Sequence, residues 1–345
     1  MLREFINRNE PDVICLHEVN VAWQKLPIDQ RLGQRFQENF GLSYTKCAWY
    51  RNYPKVVTAR QSGGCAIVVL NNAVGRVVQS GDDTTGQGRW CWVRMEGKDG
   101  RHFRVISAYR PVKNTKLDFS VYNQQKLFQA TKNNDNDVCP RQRFITDLLS
   151  DIDKFKSQGD DILLSLDLND DVRDTTSEFG QGMDERRLRE VSITKHGQNA
   201  PPTTNRGSRP IDGMFLSADT SSTGCGYLPF EDDISDHRPL WVDIDLDELF
   251  GQAESASKKV ICRRLKCKDP RVVKKYMQRY DQYLVENNLY KQASDLEKNV
   301  REVVALTMIQ KKEFEAIDRL RIQGMQLAEK QCRKLKMGKV EWSSV

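Results

Sequence analysis

No apolar run in this sequence is long enough to cross a bilayer. The longest, "CAIVVL" at 65–70, falls far short of the roughly 20 residues a spanning helix requires. The N-terminal stretch "MLREFINRNEPDV" lacks the apolar core of a secretory signal. Nine cysteines contain no CxxC pair, and Cys262 and Cys267 have no His or Cys partners at zinc-site spacing. Cys15 and Cys65 sit inside apolar, strand-like runs, where cysteine acts as a small buried hydrophobe. These absences argue against a helical membrane protein, a disulfide scaffold and a zinc module, and the expectation is a reducing, intracellular compartment with no membrane partner.

What is present suits one large domain with a second region attached. The chain has 345 residues, 38% hydrophobic and 30% charged, enough for a single core of about 250 residues. Its charge is split unevenly: the net is about −5 over 1–257 and about +11 over 258–345. A small, polar stretch, "FGQAESASK" at 250–258, marks a boundary, so the expected domains are 1–250 and a basic helical arm or linker at 251–345.

Strand-like apolar runs are "DVICLH" (12–17), "GCAIVVL" (64–70), "WCWVRM" (90–95), "FRVISAY" (103–109), "DILLSL" (161–166), "IDGMFLS" (211–217) and "PLWVDIDL" (239–246). Helices are expected at 2–8, 120–130 and 140–157, the last from Phe144, Leu148 and Ile152 at fourfold spacing. "SGDDTTGQG" (80–88) and "TKNNDND" (131–137) read as connectors. Beyond the boundary, Asp269 and Pro270 open a helix as N-cap and first helical residue. A second long helix is expected at about 291–337, with an imperfect stripe of Ile317, Leu320, Gly324 and Leu327 that favours a helical hairpin or connector over a coiled coil. Strands interspersed with helices point to an α/β or α+β fold.

Reactive side chains fall at the ends of these strands. "DVICLHE" ends in Glu18, "FRVISAYRP" in Tyr109 and Arg110, and "ILLSLDLND" in Asp167 and Asn169; "IDGMF" begins with Asp212 and "SDHRPLWV" with Asp236 and His237. Taken singly, each has an ordinary structural reading, such as a solvated strand end, an Asx turn or a surface imidazole. If the strand ends meet at one rim, five segments deliver four carboxylates, a His, an Asn, a Tyr and an Arg to one place. That set suits metal-assisted attack on a phosphate ester: hard carboxylate oxygens bind Mg²⁺, and a His–Asp pair handles protons. Arg110 is a candidate phosphate clamp through its guanidinium geometry.

These segments, in this order, resemble the endonuclease/exonuclease/phosphatase (DNase I-like) superfamily over roughly residues 1–246. "DVICLHE" is similar to the strand ending in the metal-binding glutamate, with His17 where Gln is usual. "SGGCAIVV" is similar to the Gly-Gly-x-Ala strand, "SAYRP" to the Tyr-x-Pro segment, and "LSLDLND" stands in place of Gly-Asp-Phe-Asn. "GSRPIDGMF" resembles the Arg-Ile-Asp segment with Pro210 inserted, and "SDHRPL" matches the Ser-Asp-His-x-Pro ending. The resemblance implies an α+β fold: two packed mixed or antiparallel sheets flanked by helices, a four-layer α/β/β/α sandwich, followed here by a helical C-terminal arm. It also implies roles. Glu18 would be the principal metal ligand with Asp236 on the metal side. His237, oriented by Asp212, would be the acid/base or transition-state-stabilising imidazole. Asp167 would activate the attacking water, Asn169 would hold a phosphate oxygen, and Tyr109 would contact the scissile phosphate. One departure stands out: the family's first core strand, which carries an Asn near the metal, would lie ahead of Met1.

Family members act on DNA, RNA and smaller phosphate esters, so the fold does not choose a substrate. "WYRNYPKVVTAR" (49–60) interleaves Trp49, Tyr50 and Tyr53 with Arg51, Lys55 and Arg60, a pattern that could grip nucleic acid or form a plain loop. A catalytic region followed by "RRLKCKDPRVVKKY" and "AEKQCRKLKMGKVEW" resembles the start of a non-LTR retrotransposon polyprotein, whose reverse-transcriptase region would lie beyond this chain. The expected function is a Mg²⁺-dependent (or Mn²⁺-dependent) DNA-nicking endonuclease acting in the nucleus. The alternatives are an RNase or phosphatase of the same fold, and a truncated, non-catalytic relic whose tail binds nucleic acid.

Overall fold

The computed structural model describes residues 2–51, 59–117, 119–133, 137–230, 235–251, 269–300 and 307–332. The chain forms two compact units, Met1–Ala256 and Ser257–Val345. In chain order the strands of the first unit are β1 (Val13–His17), β2 (Ser43–Ala48), β3 (Cys65–Leu70), β4 (Val77–Asp82), β5 (Trp90–Glu96), β6 (His102–Tyr109), β7 (Asp160–Asp167), β8 (Leu188–Glu190), β9 (Asp212–Ser217), β10 (Ser222–Tyr227) and β11 (Leu240–Ile244). Its helices are α1 (Leu2–Asn9), α2 (Leu32–Phe40), α3 (Val121–Asn133), α4 (Pro140–Ser157), α5 (Glu178–Glu185), α6 (Val191–His196) and α7 (Leu246–Phe250).

Six strands make one sheet in the order β4-β5-β6-β7-β9-β8. Only β6–β7 is parallel within it; the other pairs are antiparallel. Facing it lie β1-β3-β2 and the β10-β11 hairpin. The expected α+β sandwich of two sheets flanked by helices is therefore present.

Side-chain alternation explains the layering. On β7, Ile162, Leu164 and Leu166 face Phe144, Leu148, Ile152 and Phe155 of α4 and Phe179 and Met183 of α5, while Leu163 faces the second sheet. The α4 residues lie four, four and three apart, which puts them on one helical face. On β3, Cys65, Ile67 and Val69 enter the core between the sheets, while Val68 and Leu70 face Ile6 of α1 and Phe36 of α2. A strand buried on both faces reads as a continuous apolar run, which is why "CAIVVL" lacks alternation. Each such side chain removed from water contributes about 1.5–3 kcal/mol, so β3 anchors two cores at once.

Several expectations need correction. β4 runs on through Ser80–Asp82, where a connector was expected, because this segment pairs with β5. In the second unit, α8 (Pro270–Glu286) begins at Asp269, whose side chain accepts from the Arg271 N–H as an N-cap. The single helix expected over 291–337 is instead α9 (Leu289–Val300) and α10 (Met308–Lys330). Thr307 is extended and closes a capping box with Gln310, so a new helix starts there. Residues 301–306 and 333–337 of that expectation lie outside the described residues. On α10, Gly324 packs against the Tyr283 ring of α8 so closely that a Cβ would sit 2.4 Å from Cδ1. The stripe residue Leu327, by contrast, is exposed.

Candidate active site

Sheet register brings three of the expected residues into a row. Tyr109 at the end of β6 pairs with Asp167 at the end of β7, and Asp167 pairs with Asp212 at the start of β9. Residues directly opposite on neighbouring strands have Cβ atoms about 4.5–5.5 Å apart. The row is dry, with Tyr109, Asp167 and Asp212 only 4%, 3% and 7% exposed.

The segment leading into β11 adds the imidazole. His237 bridges to Thr204, Asn205 N–H donates to Asp236 O at 3.0 Å, and Arg238 N–H donates to Thr203 O at 2.8 Å. This pins the loop before β9 to the loop before β11. His237 Nδ1 then sits 2.8 Å from Asp212 Oδ2. Burial pulls the imidazole pKa down, but the Asp212 hydrogen bond and the charges of Asp212, Asp167 and Asp236 outweigh it and raise it to about 9.

Glu18 follows β1 in the left-handed region at φ +48°, and Asn20 repeats that conformation at φ +57°. The turn is held by Gly63 and Gly64: Val19 N–H donates to Gly64 O and Asn20 N–H to Gly63 O, while the Asn20 side chain accepts from Gly63 N–H at 2.8 Å. Glu18 thereby reaches Tyr109, which hydrogen-bonds it, and lies near Asp236 and His237. Partial loss of hydration raises the Glu18 carboxyl, with the Tyr109 hydrogen bond opposing. Burial holds the Tyr109 phenol far above its ordinary range, so it stays a donor.

Asp167 is the least compensated group. Burial lifts its carboxyl well above the usual range, and the Asp212 charge adds to the effect. Its Oδ1 accepts from the Asn169 N–H at 3.0 Å. Among the described residues, Asp167, Asp212 and His237 bring one ligand atom each within 4.8 Å of one another, a spacing able to hold a divalent metal. The donor chemistry fits a hard cation: a buried carboxylate pair carries excess negative charge, and Glu18 and Asp236 present exposed oxygens beside it.

Two expectations change here. Arg110 is 8% exposed, and its guanidinium points inward: Nε donates to Arg141 O at 3.2 Å, and Nη1 to Leu168 O at 3.5 Å and Asp170 at 3.3 Å. These contacts brace the turn after β7, with Asn169 Nδ2 donating to Arg110 O at 2.8 Å, rather than offer a phosphate grip. Tyr50 is buried edge-on to Phe128, so it is no stacking platform; Trp49 instead carries Arg51 over its ring. Tyr53 and Lys55 lie outside the described residues.

Sequence reasoning missed Thr203 and Asn20. Thr203 is fully buried, and its Oγ1 accepts from both Ile211 N–H at 2.9 Å and Asp212 N–H at 3.2 Å. No sequence signal singles it out from the neighbouring Thr204; for Asn20, an Asn just after a strand end is a weak sign of a left-handed turn.

No curated protein matches the chain. Among solved structures it is similar to the human Nocturnin catalytic domain with bound sulfate, at 18% identity and TM-score 0.46 over 70% of this chain and 84% of that one. It is also similar to the Xenopus laevis APE2 catalytic domain, at 14% identity and TM-score 0.49 over 70% and 86%. An AP endonuclease from Archaeoglobus fulgidus is similar at 13% identity and TM-score 0.45 over 71% and 93%. The profile of the Endonuclease/Exonuclease/phosphatase family matches residues 1–237, more than half of the sequence, and the chain belongs to that family.

Proposed function

We propose that this protein is a Mg²⁺-dependent phosphodiesterase that nicks DNA, in a retrotransposon-derived protein acting in the nucleus. The observation that carries the hydrolytic reading is the Tyr109–Asp167–Asp212 row with His237 hydrogen-bonded to its end. Glu18 and Asp236 would hold Mg²⁺, which would supply positive charge to a phosphate oxygen and to the leaving oxygen. Asp167, its basicity raised by burial, takes a proton from the attacking water. His237, protonated at neutral pH and oriented by Asp212, donates to a phosphate oxygen as charge develops there. The Tyr109 phenol fixes Glu18. One P–O ester bond breaks, one P–O bond forms to the water oxygen, and the products are a phosphomonoester and a free hydroxyl.

Nucleic acid as substrate is supported by α8, where Arg271, Lys274, Lys275 and Arg279 line one solvent-facing depression with Gln278 and Gln282. Cationic side chains repeated along a helix suit a phosphate backbone without base specificity. The test is relaxation of supercoiled plasmid with Mg²⁺ against EDTA, in wild type and Asp167→Ala. Nicking that survives in Asp167→Ala overturns the assignment. Equal cleavage of RNA overturns the choice of DNA.

A further inference from the structure

The second sheet is interrupted. Among the described residues β1 pairs only with β3, and β11 only with β10, so each keeps an unpaired edge. These edges face one another. Glu18, past the carboxyl end of β1, lies near Asp236 and His237, ahead of β11. Asp12, ahead of β1, feels the charge of Asp243 near the far end of β11. The two strands therefore run antiparallel on either side of a gap.

The gap has the width of one strand and an uncovered floor. β1 lies over β6 and β7, and β11 lies over β9, so the strip above the centre of the six-stranded sheet is left between them. Strands in a sheet are about 4.7–4.9 Å apart, and stepping once beyond β1 lands between β7 and β9. On β7, Leu163 is 9% exposed and Ser165 half-exposed, although Ile162, Leu164 and Leu166 on the opposite face are fully buried. All five residues of β1 are half-buried, whereas all six of β3 are buried. Apolar side chains beside the gap, Val13, Cys15, Leu240 and Val242, are only partly covered. Two open edges beside a partly wet floor are costly unless something pairs with them.

The direction of α1 indicates what does. Ile6 of α1 packs on the outer face of β1-β3-β2, and α1 leads directly into β1. A strand delivered ahead of α1 completes a β-α-β unit and runs parallel to β1. β3 already holds one edge of β1, which leaves the edge beside the gap. The same strand is antiparallel to β11 and can bond to both neighbours.

We infer that the slot between β1 and β11 receives one extended strand of the same polypeptide, delivered from ahead of α1, with apolar or small side chains toward Leu163 and Ser165. Nothing in this inference depends on catalysis. Its test compares amide hydrogen exchange in residues 1–345 with that in two fusions. One carries six alternating valines and threonines and a Gly-Ser-Asp link ahead of residue 1; the other has proline at a central position of the added segment. The expected result is exchange at least about tenfold slower at the free-edge amides of β1 and β11 in the first fusion, none in the second, and no change at the β8 edge. If residues 1–345 show no protected amides alone but the first fusion does, the inference also stands. It is overturned if the two fusions exchange alike, or if the free-edge amides in residues 1–345 are already as slow as those of β3. Protection that grows with protein concentration overturns it too, by assigning the slot to a second copy.

Discussion

His237 Nδ1 and Asp212 Oδ2 meet at 2.8 Å across 25 residues of chain, and the contact is made by two loops clipped together rather than by adjacent strands. The imidazole titrates at about 9 because Asp212 accepts its proton and three carboxylates surround it. In Asp212→Asn the pKa is expected to fall toward about 6.5, the unperturbed value, followed by NMR of the His237 ring in EDTA. The sign for stability follows. A pKa raised on folding stabilises fully below pH of about 6.5 and is lost as pH rises through about 9. Asp212→Asn should flatten that alkaline loss, and plasmid nicking should drop roughly 10²–10⁴-fold.

Asp167 pits function against stability. Its carboxylate is buried beside Asp212 with one backbone donor from Asn169. Asp167→Asn removes the like charge while keeping the shape. Thermal unfolding in EDTA should show a Tm equal to or above wild type, while nicking is lost. A Tm several degrees lower, with nicking kept, would mean that Asp167 is a structural hydrogen-bonding group and not the base.

Thr203 supplies one oxygen to two backbone amides and its own carbonyl to Arg238 N–H. Thr203→Val leaves the Ile211 and Asp212 N–H groups without that acceptor, at a cost of about 1–3 kcal/mol. Urea unfolding should show this loss, and Thr203→Ser should restore it. Because Asp212 moves with its backbone, nicking should track the same order of variants.

How much of this was readable beforehand depends on which physical signal each part carries. β3 and β7 were plain, because burial on both faces demands unbroken apolar runs. β2 ("SYTKCA") and β10 ("STGCGY") were not, since half their residues are small or polar and their pairing comes from neighbours. Glu18, Asp167, Asp212, Asp236 and His237 were legible as strand-end polar groups. That Tyr109, Asp167 and Asp212 share a single row was not, because register between segments 50 residues apart is set by packing. Arg110 was misjudged for the same reason: chemistry suggested a clamp, but only the fold shows its donors turned toward Arg141, Leu168 and Asp170.

Asp83 and Arg89 form a buried pair, Oδ2 to Nε at 2.6 Å, and Arg89 also bonds Asp147 at 2.8 Å. The Arg89 carbonyl accepts the Tyr109 N–H, which ties this pair to the site's sheet. Burial pushes the Asp83 carboxyl up, but the Arg89 charge and the Arg89 and Thr85 hydrogen bonds win and hold it below the usual value. A carboxyl depressed on folding stabilises above its unfolded pKa and is lost as pH falls through the folded one, so unfolding free energy should decline below pH of about 4. Asp83→Asn should cost about 3–5 kcal/mol at neutral pH, because Arg89 keeps its charge in a dry site, and should remove part of the acid dependence. Denaturant melts at pH 3, 5 and 7 measure both effects.

Gly64 tests whether the Glu18 turn must be held where it is. Its φ of +87° disfavours any side chain, and an added Cβ would lie 2.8 Å from Ala48 O, a backbone atom that cannot rotate away. Gly64 O also accepts the Val19 N–H just beyond Glu18. Gly64→Ala must therefore move β2 or the turn, at a cost of about 1–3 kcal/mol. If the turn moves, Glu18 leaves Tyr109, and nicking should fall by more than the folded fraction does, with the Mg²⁺ concentration for half-maximal rate shifted upward. If β2 moves instead, the specific activity of the folded protein should stay unchanged. Comparing nicking per folded molecule across a Mg²⁺ titration separates the two.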